Sequence, residues 1–472
     1  MIYQVGRETE GGTGGRILGG ALLFCDVMKW VAGLVALGMV AVAGDTVNAY
    51  REIAHRIVAA AMADDEGYAR LEELCDRIGN RLSGSEALER AVEWSQVQMR
   101  EAGLKNVTAI PVKVPHWVRG REAASIVAPV ERKLNILGLG GSVGTAGLTA
   151  EVVTVRSFDE IDRLGRKGVA GRIVLYNAPY RGYGSTVAYR MAGPSHAARL
   201  GAVAALVRSV TPASLATPHT GSVEYDADAP EIPAASVTVE DAEMIARLCA
   251  KGKVKIHLEL DDRMAGDAES ADVMGEIPGV EFPQEVVVIG GHLDSWDVGQ
   301  GAQDDGVGVM AALEAASLIH KLGLRPRRTI RVVFFTNEEN GGAGAEAYRE
   351  WIGGRIRTHI AAIEMDGGAE KPVGFGFTGK AAEFSRLQEA GVLLDGIHAE
   401  MLGTGGGGAD IAPLIRDGVP GLGLRTVGTH YFDWHHSAAD TLDKVDPYDF
   451  KLNVAALAVM GYWLADEPGR LN

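Results

Sequence analysis

The stretch Gly290-Gly-His-Leu-Asp-Ser-Trp-Asp-Val-Gly-Gln-Gly-Ala-Gln-Asp-Asp305 lies between two segments of opposite character. Before it, Glu285-Val-Val-Val-Ile-Gly290 is a continuous apolar run, the signature of a strand buried on both faces. After it, residues Gly306 to Leu322 read as a helix. A histidine and several carboxylates therefore crowd the carboxyl end of a strand, where open α/β sheets place their ligand sites.

The same arrangement recurs downstream. Thr329-Ile-Arg-Val-Val-Phe-Phe and His359-Ile-Ala-Ala-Ile-Glu are strand candidates, and Gly342 to Trp351 is a further helix. Alternation of strand and helix from about Asp272 to Ala465 predicts a three-layer α/β sandwich with a mixed, largely parallel central sheet. Upstream, Asp45 to about Leu104 reads as helical, with Ser85 as the N-cap of one helix. From about Ala124 to Leu260 short β-like runs such as Leu148–Val155 and Gly171–Tyr176 alternate with Gly and Pro turns. This texture predicts an inserted β-rich domain that covers or shapes a site elsewhere. The expected boundaries are 1–43 for an upstream extension and leader, 44–123 and 263–472 for two parts of the main domain, and 124–262 for the insertion. Gly405–Gly408 reads as a mobile loop.

Composition narrows the class. The chain has 472 residues, 47% hydrophobic and 23% charged, which suits a globular protein of two or three domains. A net charge of -16 suggests no basic surface for nucleic acid. Met28-Lys-Trp-Val-Ala-Gly-Leu-Val-Ala-Leu-Gly-Met-Val-Ala-Val-Ala43 has the basic start, apolar run and small-residue end of a secretory signal peptide. Met28 is a better start than Met1 for that leader. The expectation is export to the periplasm or the extracellular space, with no stable membrane association after cleavage. Of Cys25, Cys75 and Cys249, the last two would remain, and both a disulfide and buried thiols fit them.

Five positions form one constellation: His292, Asp304, Glu339, Asp366 and His436. Alone, each is weak. A histidine after a strand is usually a surface or core residue, Glu338-Glu339 suits a charged loop, and His435-His436 suits a turn. Together their order and their places beyond predicted strands agree. Imidazole with carboxylate suits Zn²⁺ without any thiolate. Five ligands exceed the usual three of one catalytic zinc, but they suit two metals if one carboxylate bridges.

The segments Gly291-His-Leu-Asp-Ser-Trp-Asp297 with Asp304-Asp305, Glu338-Glu339, Glu364-Met-Asp-Gly-Gly368 and His435-His-Ser-Ala-Ala-Asp-Thr441 resemble the secreted di-zinc exopeptidases of metallopeptidase family 28. The resemblance extends over nearly all of the chain after the leader, and the insertion resembles a protease-associated domain. It implies a zinc exopeptidase-like fold and two Zn²⁺ bridged by Asp304. His292 and Asp366 would complete one site, and Glu339 and His436 the other. Glu338 would be the general base, Asp294 would orient His292, and Asp305 would hold the turn. In this family the ligand histidine stands four residues before the aspartate of the terminal Asp-Thr pair, which here selects His436. Some relatives place a tyrosine just before that histidine to steady the oxyanion; here His435 stands there, and His435 and Tyr431 both remain candidates. Asp410, after the Gly403–Gly408 run, is a candidate for a substrate amine, or equally a capping aspartate before Ile411. Trp296 and Trp434 are candidate pocket walls, with plain packing the commoner role.

The expected activity is hydrolysis of dipeptides or short peptides at a free terminus, with a homodimer as the expected assembly. The alternative within the family is an aminopeptidase. A non-catalytic binding protein on this fold would have lost ligands that are all present here. A single-zinc cyclase of N-terminal glutamine would lack the insertion.

Overall fold

Strands that are apolar along their whole length must be covered on both faces, so they belong at the centre of a sheet. The computed structural model, which describes residues 49–471, places them there. The leader read at Met28–Ala43, the choice of Met1 or Met28, and Cys25 lie outside the described residues. Eight strands form the main sheet: β1 (Lys105–Val118), β2 (Arg263–Ile277), β3 (Phe282–His292), β4 (Arg328–Phe335), β5 (His359–Glu364), β6 (Pro372–Thr378), β7 (Met401–Thr404) and β8 (Gly421–Thr426). Their spatial order is β1-β2-β4-β3-β5-β8-β6-β7. The four central strands β4, β3, β5 and β8 are parallel. Strands β1 and β2 on one side, and β6 on the other, run antiparallel to their inner neighbours. Every residue of β4 and β5 is buried.

Alternate side chains of β3 feed two different layers. Val286 and Val288 pack with Phe335, Tyr348 and Ile352, the last two from the helix Ala343–Ile352. Ile289 points the other way, against the helix Pro447–Asp466, where a side chain at Gly461 would come within 2.4 Å of it. The helix Val307–Lys321 packs on that same face. The result is the three-layer sandwich with a mixed central sheet that the alternation predicts. Ser85 caps its helix as expected, accepting the N–H of Leu88.

Register sets the position of the site. His292 at the end of β3 pairs with Phe335 at the end of β4, and Gly290 pairs with Glu364 at the end of β5. Strands β3 and β4 thus finish level and β5 stops two residues short of them, so that His292 and the loops bearing Glu338-Glu339 and Asp366 gather at one edge.

Strand β1 has no counterpart in the sequence reading, because Pro111 and Pro115 interrupt it. It is an edge strand, where a missing N–H is tolerated. The Gly405–Gly408 run is not the loose loop expected. Gly405 donates to the Phe377 carbonyl at 2.7 Å, and a side chain at Gly406 would meet the Gly376 backbone at 2.8 Å. The glycines allow backbone to pack on backbone beside β6 and β8.

A second eight-stranded sheet uses only residues 122–260. It carries apolar clusters that include Ala242 and Ile245 of the helix Val239–Cys249, and Ile161 of the helix Phe158–Val169. The segment is thus mixed α/β rather than only β-rich. Cys75 and Cys249 are free thiols, so the disulfide does not form. The chain leaves β1 at Val118 and re-enters β2 at Arg263, which are paired neighbours. Arg119 locks that junction. It grips Asp297 with Nε at 2.7 Å and Nη2 at 2.8 Å, and gives Nη1 to Glu122 at 2.7 Å and to the Gly138 carbonyl at 2.8 Å.

Asp262 sits beside this junction, buried, accepting the Gly120 N–H at 3.0 Å. Burial, with the neighbouring Glu122 carboxylate, pushes its carboxyl up to about 7 from an ordinary 3.8. A raised acid favours the folded state while protonated. That contribution is complete below the unfolded value and is lost as pH rises through the folded one. Asp262→Asn is therefore expected to raise the urea midpoint relative to the parent at pH 8 and to leave it nearly unchanged at pH 4. Parallel midpoints at both pH values would contradict the assignment.

Candidate metal centre

His292, the last residue of β3, presents Nε2 at 3.3 Å from Asp304 Oδ1 and 3.6 Å from Asp366 Oδ1. The other oxygen of Asp304, Oδ2, lies 3.3 Å from His436 Nε2, and that nitrogen lies 3.0 Å from Glu339 Oε2. All five residues that the sequence singles out are thus in one cluster, and Asp304 touches both of its halves. Donor atoms of His292, Asp304 and Asp366 lie within 4.8 Å of one another, as do those of Asp304, His435 and His436.

Each side chain is aimed by local backbone. His436 adopts φ 59°, which turns its ring toward Asp304. Asp304 and Asp305 are joined by a cis peptide. The Asp440 carboxylate accepts the N–H of Gln303 at 2.7 Å and of Asp304 at 3.2 Å. Asp305 accepts the N–H of His292 at 3.2 Å and of Gly308 at 3.0 Å, tying the end of β3 to the following helix. Arg81, fully buried, donates to the carbonyls of Leu293, Gln300 and Gly301, and so supports the whole loop from 293 to 301. His292 Nδ1 meets the main-chain carbonyl of Asp294 at 2.9 Å, while the Asp294 carboxylate is 3.9 Å away. That carboxylate instead accepts the N–H of Glu338 at 3.1 Å and of Glu339 at 3.3 Å. Asp294 therefore steadies His292 through its backbone and the Glu338 turn through its side chain.

The charges are not at rest. Burial opposes the imidazolium of His292, but Asp304 and Asp366 outweigh it and hold its pKa well above 6.5. Burial likewise opposes the Asp304 carboxylate, but the neighbouring imidazoles of His292 and His436 hold its pKa well below 3.8. Burial, then the charge of Asp304, pushes Glu339 up to about 7. Burial, then Asp366 and Glu339, pushes Glu338 well above 4.5. His292 Nε2, Asp304 Oδ2, Glu339 Oε1 and Asp366 Oδ1 are buried atoms without a hydrogen bond. Orphaned buried donors from four loops, all nitrogen or carboxylate oxygen, fit a divalent cation of the zinc type. A bound cation reverses the local logic and favours every deprotonated form.

A cavity of about 600 Å³ opens beside the cluster. Glu338, His435 and Tyr431 line it, as the sequence reading allows. Its aromatic walls are Tyr183, Tyr431 and Phe432 rather than the two tryptophans. Trp296 is buried against His436 and Gly140, and Trp434 stacks on His430. Asp410 lines a second cavity of about 260 Å³, to which Glu338 and Gly341 also contribute. Both its oxygens are buried without a hydrogen bond, so it is no helix cap. The segment from the second sheet also reaches the site. The Thr220 carbonyl lies 3.4 Å from His436 Nδ1, and His219 Nδ1 meets the His435 carbonyl at 2.6 Å. Arg190 Nη1 lies 3.2 Å from His436 Nδ1. No sequence signal marks these residues, since they come from a part of the chain without any ligand pattern.

Comparison with known proteins agrees with this geometry. The profile described as Peptidase family M28 matches residues 272–460. The chain is 44% identical over 407 residues to carboxypeptidase Q from Bos taurus, covering 86% of each chain. It is similar to a peptidase M28 precursor from Shewanella amazonensis SB2B, with TM-score 0.87 and 33% identity over 90% of this chain and 99% of that one. A zinc aminopeptidase from Bacillus subtilis shares the fold, with TM-score 0.64 and 18% identity over 86% of this chain and 96% of that one.

Asp440 touches no other ligand, yet it fixes the backbone on which Asp304 stands. Asp440→Ala is expected to weaken metal affinity by about 10- to 100-fold, the usual effect of losing a group that orients a ligand. Asp440→Asn, which keeps one acceptor oxygen, should do less. Competitive titration with a chromophoric chelator measures both; unchanged affinity in the alanine variant would remove Asp440 from this role.

Proposed function

The chain belongs to peptidase family M28 and is a peptidase, and from that premise we propose that it is an exported zinc-dependent exopeptidase, carboxypeptidase Q-like, that hydrolyses dipeptides and short peptides at a free terminus. One observation carries the reading. The two oxygens of Asp304 face the Nε2 atoms of different histidines, and Glu338 lines the adjoining cavity.

Two Zn²⁺ would be held with Asp304 between them, by His292 and Asp366 on one side and by Glu339 and His436 on the other. Zinc at such a centre supplies Lewis acidity, making water more acidic and offsetting charge on a substrate carbonyl oxygen. The chain's own residues do the rest. Glu338 takes a proton from the attacking water on its carboxylate. It then delivers that proton to the nitrogen of the departing amine as the C–N bond breaks. Burial raises the basicity that this exchange needs. Asp294 holds the main chain of Glu338 and the ring of His292 in place. His435 and Tyr431 stand on the cavity wall where the oxyanion forms, and either supplies a donor.

The second sheet is read as an inserted protease-associated-like domain over 124–262, placed between peptidase parts 44–123 and 263–472. Its contacts with His435 and His436 support a role in closing the site. Export rests on the leader at Met28–Ala43; among the described residues no helix is long and apolar enough to cross a membrane. The second reading, an aminopeptidase, draws on Asp410, an unpartnered buried carboxylate near Glu338 that suits an ammonium group.

Metal analysis and dipeptide hydrolysis on the parent and Glu338→Ala test the proposal. Both proteins are expected to hold about two zincs per chain. The variant should lose about 10²- to 10⁴-fold in kcat, the usual contribution of a positioned base. Full activity in the variant would remove Glu338 from the mechanism. Loss of metal from the parent's cluster would remove the zinc centre.

A further inference from the structure

A general base works only if its carboxylate is aimed, and Glu338 has no partner to aim it. Among the described residues no hydrogen bond or ion pair reaches either of its side-chain oxygens. Its direction is therefore set by its main chain. That chain leaves β4 through Thr336 and turns at Asn337. Asn337 is fully buried and adopts φ 72°. This is the left-handed region, where asparagine is one of the few side chains that sit without large strain.

Every hydrogen-bonding group of the Asn337 side chain is used. Oδ1 accepts the N–H of Ala343 at 3.1 Å, the first residue of the helix Ala343–Ile352. Gly342, at the N-cap position, has no side chain for this task, so Asn337 supplies the cap from upstream. With Oδ1 committed to a main-chain N–H, the amide has one orientation and Nδ2 faces the other way. Nδ2 donates to Ser83 Oγ at 3.0 Å and to Asn340 Oδ1 at 2.6 Å. The turn closes tightly round the amide: a side chain at Gly341 would come within 2.1 Å of Asn337 Oδ1. Ser83 carries the link onward. Its buried hydroxyl donates to Asp294 Oδ2 at 3.4 Å, and that carboxylate accepts the N–H groups of Glu338 and Glu339. Asn337 is thus tied to the helix after the turn, to Ser83 ahead of the helix Glu86–Glu101, and through Ser83 to the loop after β3.

We propose that Asn337 is a positioning residue for the general base: its left-handed backbone and its amide together set the direction of the Glu338 carboxylate. The inference rests on the general-base reading above. Asn337 lines neither cavity, so it acts on the reaction only through its neighbours in the turn. Glu339 shares that turn, so effects on the base and on the metal must be read apart.

Hydrolysis of Ala-Ala by the zinc-loaded full chain, compared for the parent, Asn337→Gly, Ser83→Ala, Glu338→Ala and the doubles with Glu338→Ala, makes the separation. Glycine keeps the backbone angle and removes the amide. Ser83→Ala keeps the helix cap and cuts the link to Asp294. Asn337→Gly is expected to lose about 10- to 100-fold in kcat, the scale of a misplacement of about 1 Å. KM and zinc content should stay close to the parent's. Ser83→Ala should lower kcat by a smaller factor. In the Glu338→Ala background Asn337→Gly should cost nothing further, because residues that act as a unit are not additive. An equal loss in both backgrounds, a loss of zinc, or a change confined to KM overturns the proposal. Should Asn337→Gly fail to fold, Ser83→Ala and its double decide by the same criterion. A Glu338→Ala chain with the parent's kcat refutes the general-base reading instead. An impaired Glu338→Ala beside a fully active Asn337→Gly refutes this proposal alone.

Discussion

The buried carboxylate of Asp304 is the constraint on which the rest of this site depends. Taking a carboxylate out of water costs several kcal/mol unless strong partners replace the solvent. Here an imidazole stands at each oxygen, and three further acids crowd the same space. No arrangement of hydrogen bonds satisfies so many acceptors, and several atoms remain orphaned. The fold tolerates this because β4 and β5 beneath are buried along their full length and end at the same edge as β3. Arg81, Asp305 and Asp440 then fix the loop by its backbone, which leaves the ligand side chains free for a metal.

The second sheet matters to the site through a few contacts. His219 and Thr220 bond to the main chain and ring of the His435-His436 pair, and Arg119 fastens the same segment to Asp297 in the ligand loop. Two parts of the chain thus share the task of placing His436. Covering the cluster from this side also excludes water, which strengthens each electrostatic interaction within it.

How far the site could be read from sequence follows from what kind of atom does each job. His292, Glu339 and Asp366 were legible because parallel strands deliver their carboxyl ends to one edge, a rule that needs no coordinates. The inner strands were legible from their apolar runs, while β1 was hidden by Pro111 and Pro115, which only an edge tolerates. Asp294 is read as the group that orients His292, and it is the main-chain carbonyl of Asp294 that meets Nδ1; a backbone acceptor leaves no trace in residue identity. Arg81 and Arg190 look like solvated charges in sequence; only burial reveals one as a scaffold and the other as an unpaired cation. Trp296 and Trp434 were candidates by proximity along the chain, yet the walls come from Tyr183 and Phe432, which proximity does not weigh.

The choice between the two termini comes down to distance. Whichever end is free lies only a few bonds from the scissile carbon, about 3 Å along the chain for an amine and about 4.3 Å for a carboxylate. Its recognition group must therefore share the cavity with the metal ligands. Asp410 lines the smaller cavity, which shares Glu338 and Gly341 with the larger. Arg190 lines the larger one beside His436. The fold thus sets a charged group of each sign beside Glu338 or His436, and the terminus that the substrate presents decides which of them is used.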